Sequence, residues 1–170
     1  HFDLDHEMMD SLQNQIPGFS MRMQEVTAAM LTPQIARLPV IKDIHVRNWH
    51  LLHALINDHP NIEIPMPLPQ VDSFCDTMQF HLVGLSRERA DRFIDVMKQE
   101  GIPMQIFGAK RNARDFRQWE YIEAHKDELK DTIANIEFAC DLSLQPHLTE
   151  ENIRVIGRVV QEVLDYINRT

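Results

Sequence analysis

The spacing of apolar residues predicts two helices in the first third of the chain. Met23, Val26, Ala29 and Met30 share one helical face, which we expect to end where Pro33 interrupts the hydrogen-bond ladder. Pro39 then opens a second, longer helix. Its predicted buried stripe is Val40, Ile44, Leu51, Leu52, Leu55 and Ile56, and its predicted outward positions are Lys42, Asp43, Arg47 and Asn57. Residues 1 to 17 show no clean period and predict an irregular lead-in.

A proline-rich stretch and an alternating segment follow these helices. The prolines between residues 60 and 69 surround Ile62-Glu63-Ile64, which predicts a short edge strand followed by an extended connector. We interpret this stretch as a hinge between a helical layer and a subdomain that contains a sheet. Met78, Phe80 and Leu82 then alternate with polar neighbours, the pattern of a half-buried strand.

The remaining pattern predicts more helices and strands. Ser86 is suited to cap a helix with Ala90, Phe93, Ile94 and Met97 inward, and Gly101 suits the left-handed residue after it. Residues 102–107 and 138–144 are predicted to be extended, and residues 120–135 are helix-prone. Thr149 is the predicted cap of a last helix, with Glu150 and Glu151 at the positive end of its dipole. That helix carries the clearest apolar stripe: Ile153, Ile156, Val160, Val163, Leu164 and Ile167.

These elements together predict an α+β fold. We expect a few-stranded, mostly antiparallel sheet with helices on one face, preceded by linker helices. The predicted division places lead-in and linker helices in residues 1–59 and a small α+β domain in residues 60–170.

Composition narrows the class of protein. The chain has 170 residues, 44% of them hydrophobic, which is enough for a core, and a formal net charge of −9. Nucleic acids and anionic membranes attract basic surfaces, so neither is an expected partner. No apolar run approaches the roughly 18 residues of a membrane span, and we expect a cytoplasmic protein. Cys75 and Cys140 are predicted to be free, buried thiols.

Three segments, in order, resemble one enzyme family. Residues 17–29, Pro-Gly-Phe-Ser-Met-Arg-Met-Gln-Glu-Val-Thr-Ala-Ala, resemble the Gly-Tyr-Asn-x-Arg-Met-x-Glu-x-x-Ala-Ala signature of the DegT/DnrJ/StrS family. Gln34, Leu38, Arg47 and Leu51-Leu52 are similar to its linker-helix positions. Residues 140–153 are similar to its closing Leu-Ser-Leu-Pro-x-x-Pro-x-Leu-Thr-Glu-Glu-x-Ile motif. Members of this family are aminotransferases that depend on pyridoxal phosphate (PLP), and most act on nucleotide-linked keto sugars.

This resemblance implies a particular part of such an enzyme. Residues 60–170 would form the C-terminal small domain of a fold-type I PLP-dependent transferase, and residues 1–59 the end of its large domain and a dimer-contact region. In the family the signature lies downstream of the lysine that holds the cofactor, whereas here it lies close to His1. The resemblance therefore implies a C-terminal portion that is inactive alone, that pairs with the missing N-terminal half of the same protein, and that belongs to a homodimer.

Two alternatives to this function stay open. The chain could be a stand-alone, non-catalytic binding module derived from the family. It could also be the same region of a PLP-dependent sugar dehydratase, because the residue that separates the two enzyme types replaces the absent lysine.

The resemblance implies two cofactor-binding residues, Ser20 and Arg22. Ser20 stands where the family commonly has an asparagine that reaches the cofactor phosphate of the partner subunit, and a hydroxyl can still donate one hydrogen bond there. Arg22 matches a position near the boundary of the active site and the dimer. An ion pair with Glu25 is an equally weighted alternative for Arg22.

A cationic segment gives the candidate substrate site. Lys110, Arg111, Arg114 and Arg117 are interleaved with Phe116 and Trp119. Residues 107–114 stand where the family usually has a His- and Pro-rich loop. Guanidinium groups bind diphosphates bidentately and aromatic rings stack on bases or sugars. We predict that Lys110, Arg111 and Asn112 bind the substrate. The alternative is a solvated helix start whose cations pair with Asp115, Glu120 and Glu123.

The sequence pattern around the other lysines and the histidines predicts neither a catalytic site nor a metal site. The lysines lack the sequence surroundings that the family gives its cofactor lysine, so we predict no catalytic residue in this chain. His50 and His53 are three apart on a helix, but no acidic or thiolate companion lies at ligand spacing. We therefore expect these histidines, and His45 and His59, to be satisfied or solvent-facing and to bind no metal.

Overall fold

The computed structural model describes residues 23–109, 115–121 and 128–169. Its helices are α1 (Glu25–Ile35), α2 (Leu38–Ile56), α3 (Arg87–Gln99), α4 (Lys130–Ile136) and α5 (Glu150–Arg169). Its strands are β1 (Ile62–Glu63), β2 (Thr77–Leu82), β3 (Gln105–Ile106) and β4 (Ala139–Ser143), and Phe116–Gln118 form a short 3-10 helix.

The strands form one antiparallel sheet in the order β1-β2-β4-β3. Phe80 of β2 lies opposite Cys140 of β4, which in turn lies opposite Ile106 of β3. The pairing confirms the predicted α+β class with a few-stranded antiparallel sheet, and β1 is the edge strand that the proline-rich stretch predicts.

One face of this sheet carries the core. The alternation in β2 places Met78, Phe80 and Leu82 on that face, with none of them more than 3% exposed. Cys140 and Leu142 continue the same face on β4. Buried side chains of α2, α3 and α5 complete a single hydrophobic cluster with these residues, so the helices cover one face of the sheet, as predicted.

The last helix and α3 also agree with the sequence. Every predicted stripe position of α5 is buried, and the Thr149 hydroxyl accepts a hydrogen bond from the Asn152 amide at 3.2 Å. The Ser86 hydroxyl accepts one from the Arg89 amide at 3.4 Å at the start of α3. Gly101 has φ +79°, the left-handed conformation expected after that helix.

The predicted buried stripe of α2 is partly wrong. Its buried residues are His45, Asn48, Trp49, Leu52 and Ile56, whereas Val40 is 64% exposed. A buried amide is tolerated because the Asn48 side chain donates to the Leu148 carbonyl at 3.1 Å and its oxygen accepts from the Arg47 guanidinium at the same distance. The hydrogen bond to Leu148 connects the buried face of α2, on which Asn48 and Trp49 lie, to the segment just before α5.

The predicted end of the first helix is also wrong. Pro33 lies inside α1, which continues to Ile35. Proline removes one backbone donor here, and the neighbouring side chains bond to the helix itself: the Thr32 hydroxyl donates to the Ala28 carbonyl at 2.8 Å and the Gln34 amide to the Met30 carbonyl at 3.1 Å. The helix buries none of its residues, and Val26 is 70% exposed.

Two further predictions are too long. The extended stretch 102–107 forms a strand only at Gln105–Ile106, which lie opposite Asp141 and Cys140 of β4. Of the helix-prone stretch 120–135, the structure shows helix α4 at Lys130–Ile136, while residues 122–127 lie outside the described part of the chain. The irregular lead-in predicted for residues 1–17 also lies outside it.

The described residues add two facts about chemistry and environment. Cys75 and Cys140 are both free, as predicted, although only Cys140 is fully buried. No helix formed by the described ranges is long and apolar enough to cross a membrane.

Candidate functional site

None of the predicted site residues belongs to the part of the chain that the structure describes. Ser20, Arg22, Lys110, Arg111 and Asn112 all fall outside the described residues, so their roles stay predictions. The structure does describe both ends of the segment that carries the three candidate substrate residues. Ala109 follows β3 on one side, and Asp115 precedes the 3-10 helix on the other.

One guanidinium joins these two ends. Arg117 donates through Nε to both oxygens of Asp115, at 2.9 and 3.1 Å, and through Nη2 to Asp115 Oδ2 at 2.8 Å. The same Nη2 donates to the carbonyl oxygen of Gly108 at 2.9 Å. Nη1 reaches Glu137 Oε1 at 3.4 Å. We call this set of contacts the Arg117 bridge.

The bridge is electrostatically strong because Asp115 is only 3% exposed. Burial opposes ionisation of this carboxyl, but the hydrogen bonds and the charge of Arg117 outweigh it and hold the pKa of Asp115 below its ordinary value. The hydrogen bond to Asp115 raises the pKa of Arg117 in return, against the cost of desolvation. Both partners are therefore charged at neutral pH.

Gly108 provides the close approach that the bridge requires. A Cβ at this position would lie 2.9 Å from the Ile136 carbonyl oxygen and 3.0 Å from both Arg117 Nη2 and Glu137 Cα. Its amide also donates to the Ile136 carbonyl at 2.8 Å. A side chain at position 108 would push the backbone away from the end of α4. Only glycine fits here because there is no room for a Cβ.

The bridge lies beside an open cavity of about 770 Å³. The Arg87 guanidinium forms another side of it, donating to the Glu137 carbonyl at 3.0 Å and pairing with Asp91 at 3.0 Å. The lining residues are Arg87, Asp91, Gly108, Ala109, Asp115, Arg117, Gln118 and Glu137. Both guanidinium groups of the lining are paired with carboxylates of the lining, Arg87 with Asp91 and Arg117 with Asp115 and Glu137.

The two aromatic residues that the sequence groups with the cations have different environments. The side chain of Phe116 is buried, with only 7% of it exposed, so its ring is not accessible for stacking on a base or a sugar. The Trp119 ring stacks on Tyr121 with centroids 5.6 Å apart. The ion pair between Arg117 and Asp115 is the one that the alternative interpretation anticipates, whereas Glu137 and Gly108 carry no local sequence signal for their part in it.

A second groove lies at the other end of β2. It has a volume of about 360 Å³ and is lined by Trp49, Pro65, Met66, Pro67, Ser73, Cys75, Asp76, Thr77 and Gln79. Cys75 has φ +59°, an uncommon backbone conformation for a residue with a side chain. Since β3 runs parallel to β2 and the Arg117 bridge follows β3, the groove and the bridge lie at opposite ends of the sheet.

The histidines pack within the helical layer. His45 lies against Phe74 with ring centroids 5.2 Å apart, and His53 stacks on Trp49 at 5.0 Å. His59 accepts the Asn61 amide at 3.2 Å and faces Asp165 at 3.6 Å. Within the described residues, no group of three or more His, Cys, Asp or Glu side chains could hold a metal ion.

The fold defines the class of protein. The four-stranded antiparallel sheet covered on one face by α2, α3 and α5 is a fold that the chain shares with part of solved fold-type I PLP-dependent aminotransferases. Residues 3–161 match the DegT/DnrJ/EryC1/StrS aminotransferase family, and the chain belongs to this family. No curated protein matches it in sequence.

Solved structures share this fold at low sequence identity. The Streptococcus pneumoniae protein Spr1654, described as a sugar aminotransferase, matches in its PLP form with a TM-score of 0.73, 15% identity and coverage of 89% of this chain and 38% of its own. Helicobacter pylori PseC, an aminotransferase of pseudoaminic acid biosynthesis, matches with a TM-score of 0.71, 15% identity and coverage of 89% and 40%. Escherichia coli GDP-4-keto-6-deoxy-D-mannose-3-dehydratase matches with a TM-score of 0.60, 16% identity and coverage of 85% and 37%. The chain therefore spans about two fifths of the length of the structures that it resembles.

Proposed function

We propose that this chain is the C-terminal part of a PLP-dependent aminotransferase that acts on a nucleotide-linked keto sugar in the cytoplasm. The observation that carries this proposal is the family match over residues 3–161, joined to a fold that covers only about two fifths of each related structure. On this proposal the chain is inactive alone, and the complete protein carries the activity.

The lysines of the described residues support a cofactor attachment elsewhere. Lys42 pairs with Asp72 at the surface, and Lys98 and Lys130 are exposed. A lysine that holds PLP needs a sheltered cavity, in which the bound cofactor stabilises negative charge on the substrate carbon. None of the five lysines of the chain, including Lys110 and Lys126, has the sequence surroundings that the family gives its cofactor lysine, so we assign that lysine to the N-terminal half of the complete protein. Ser20 and Arg22 are the proposed cofactor-binding residues of this chain.

Lys110, Arg111 and Asn112 are the proposed substrate-binding residues. The guanidinium of Arg117 already binds Asp115, Gly108 and Glu137. We therefore propose that the cations of the segment before it, Lys110 and Arg111, bind the diphosphate. The bridge supports this role because it fixes where the segment leaves and rejoins the domain.

The first described helix supports the proposed partners. Val26, Met30 and Ile35 are each more than 60% exposed, and a short helix that buries nothing is marginal in water. We propose that the N-terminal half of the protein and a second subunit cover this helix in a homodimer. The division at residue 59, with the dimer contacts in residues 1–59, belongs to the same proposal.

The complete protein and the 170-residue chain should be compared directly. We expect the purified complete protein to bind PLP, seen by its absorbance, and to transfer an amino group from glutamate or glutamine to a nucleotide-linked keto sugar. The 170-residue chain should do neither. A complete protein that neither binds PLP nor transfers an amino group would overturn the proposal and favour the non-catalytic module.

A sugar dehydratase is the second candidate. The likeness to the E. coli dehydratase, with a TM-score of 0.60, favours it. The product separates the two reactions, because an aminotransferase yields an amino sugar and a dehydratase removes a hydroxyl group as water. Mass spectrometry of the product of the complete protein therefore decides between them.

A further inference from the structure

The backbone groups of β2 alternate between its two neighbouring strands. The Leu82 amide donates to the Phe138 carbonyl, at the start of β4, at 3.0 Å. The next amide, that of Val83, donates to the Asn61 carbonyl, just before β1, at 3.0 Å. Since this alternation continues along an antiparallel strand, the even-numbered residues of β2 bond to β4 and the odd-numbered residues point toward the β1 side.

Two prolines lie where β1 would have to continue. If the register of β1 with β2 were extended, Pro65 would lie opposite Gln79. Pro67 would likewise lie opposite Thr77. Proline has no backbone N–H to donate, and no backbone hydrogen bond joins either pair. On this side, the N–H and C=O groups of Thr77 and Gln79 therefore have no partner among the residues that the structure describes.

These backbone groups border the groove of about 360 Å³ at one end of β2. Thr77 and Gln79 line it together with Pro65, Met66 and Pro67 of the connector. Residues two apart in a strand are separated by about 7 Å, which is the repeat of an extended peptide. A single sugar ring or amino acid is too short to pair with both residues, whereas an extended segment beside β2 meets the N–H and C=O groups of both.

Native proteins rarely leave such an edge uncovered. Unpaired backbone groups of a strand promote association with other chains, and lysines, prolines or a covering segment normally prevent this. Strand β2 contains neither Lys nor Pro. The chain spans about two fifths of the structures that it resembles, so most of the complete protein is available to cover this edge. Asp76 is exposed at the groove, and a Lys or Arg in the covering segment would complement its charge.

We propose that an extended segment of the N-terminal half of the complete protein adds to the sheet beside Thr77 and Gln79. This inference rests on the proposed function only for the existence of that half. The segment pairs with β2 through its backbone, and a basic side chain near Asp76 fixes its register. It takes the position beside β2 that β1 leaves free after Pro65.

Hydrogen–deuterium exchange of single backbone amides, resolved by electron-transfer fragmentation and mass spectrometry, tests this inference. Met78 and Phe80 are controls in the same strand, because their amides face β4. In the complete protein, the amides of Thr77 and Gln79 should exchange at least about a hundredfold more slowly than unstructured amides, as the two controls do. In the 170-residue chain the controls should stay protected, while Thr77 and Gln79 exchange rapidly.

A pair of variants at Gln79 tests the backbone contact itself. Gln79→Pro removes one edge donor and no bond to β4, whereas Gln79→Ala keeps the donor and is the matched control. In the complete protein, Gln79→Pro should speed exchange at Thr77 about tenfold, since loss of one backbone hydrogen bond has an effect of this order. Gln79→Ala should stay within about threefold of the wild type. Equal exchange in the two variants would contradict pairing through the backbone.

Three results would overturn the inference. Rapid exchange of Thr77 and Gln79 in the complete protein would show that the edge is open to water. Slow exchange in both proteins would place the partner within the 170 residues. Slow exchange that is lost when the complete protein is diluted to a monomer would assign the edge to a second copy. If Met78 and Phe80 show that the 170-residue chain or Gln79→Pro does not fold, exchange in the wild-type complete protein decides.

Failure of the proposed function is detected separately. A complete protein with slow exchange at Thr77 and Gln79 that neither binds PLP nor transfers an amino group would support this inference and overturn the enzyme. An active enzyme with rapid exchange at both residues would do the reverse.

Discussion

Gly157 of α5 lies directly against Leu55 of α2: a Cβ on Gly157 would be 2.8 Å from Leu55 Cδ1 and 2.9 Å from Leu55 Cβ. Real Cβ atoms do not approach other carbon atoms so closely. The absence of a side chain at Gly157 therefore sets how near the last helix comes to the helix that leads into the sheet. The contact is strengthened by the Gln161 side chain, which donates to the Leu55 carbonyl.

Gly157→Ala should destabilise the domain. Overpacking at this contact costs roughly 1–3 kcal/mol, and the better helix propensity of alanine recovers up to about 1 kcal/mol. We expect the free energy of unfolding to fall by about 1–2 kcal/mol in urea denaturation. Arg158→Ala, at the next and exposed position, should stay within about 0.5 kcal/mol of the wild type. A variant Gly157→Ala as stable as the wild type would contradict a contact that leaves no room for a Cβ at Gly157.

Thr149→Ala should shorten or weaken the start of α5. The hydroxyl accepts the Asn152 amide at 3.2 Å, and the Asn152 side chain accepts the Thr149 amide at 2.9 Å in return. Loss of such a cap costs about 1 kcal/mol. Thr149→Ser keeps the hydroxyl and should retain most of the stability. Equal stability losses for alanine and serine in chemical denaturation would contradict a capping role.

Ionised Asp115 should stabilise the folded chain, and this contribution to the free energy of unfolding should be lost in acid. Its pKa is lower in the folded protein than the ordinary value of 3.8, so its contribution is full above that value and is lost as the pH falls through the folded pKa. The difference in unfolding free energy between the wild type and Asp115→Asn should therefore be larger at pH 7 than at about pH 3. A difference that does not change with pH would contradict this origin.

The two cysteines should differ in reactivity. Cys140 is fully buried, and burial raises the pKa of its thiol, whereas Cys75 is half-buried. A thiol reagent should modify one cysteine rapidly in the native chain and two after denaturation. Cys75→Ser should abolish the rapid reaction. Rapid modification of native Cys75→Ser would show that Cys140 becomes accessible.

Local patterns account for the elements that the sequence predicts well. The alternation of Met78, Phe80 and Leu82 specifies a one-sided strand, and the stripe of α5 specifies its buried face, since each pattern is complete within one element. Ser86 and Thr149 mark helix starts because a cap acts on amides only three residues away. In α2 the same approach fails at Asn48, because the buried amide of Asn48 is satisfied by the Leu148 carbonyl one hundred residues later.

Motifs and local periodicity were enough to predict the family, the α+β class, the antiparallel sheet and the apolar faces of β2 and α5. They also identified the segment that carries Lys110, Arg111 and Asn112 as the cationic part of an acidic chain. The contacts of Arg117 with Gly108, Asp115 and Glu137, and the close approach of Gly157 to Leu55, became visible only in the folded structure. Periodicity and capping act over a few residues, whereas these contacts depend on the pairing of β3 with β4 and the packing of α5 on α2, which join residues far apart along the chain.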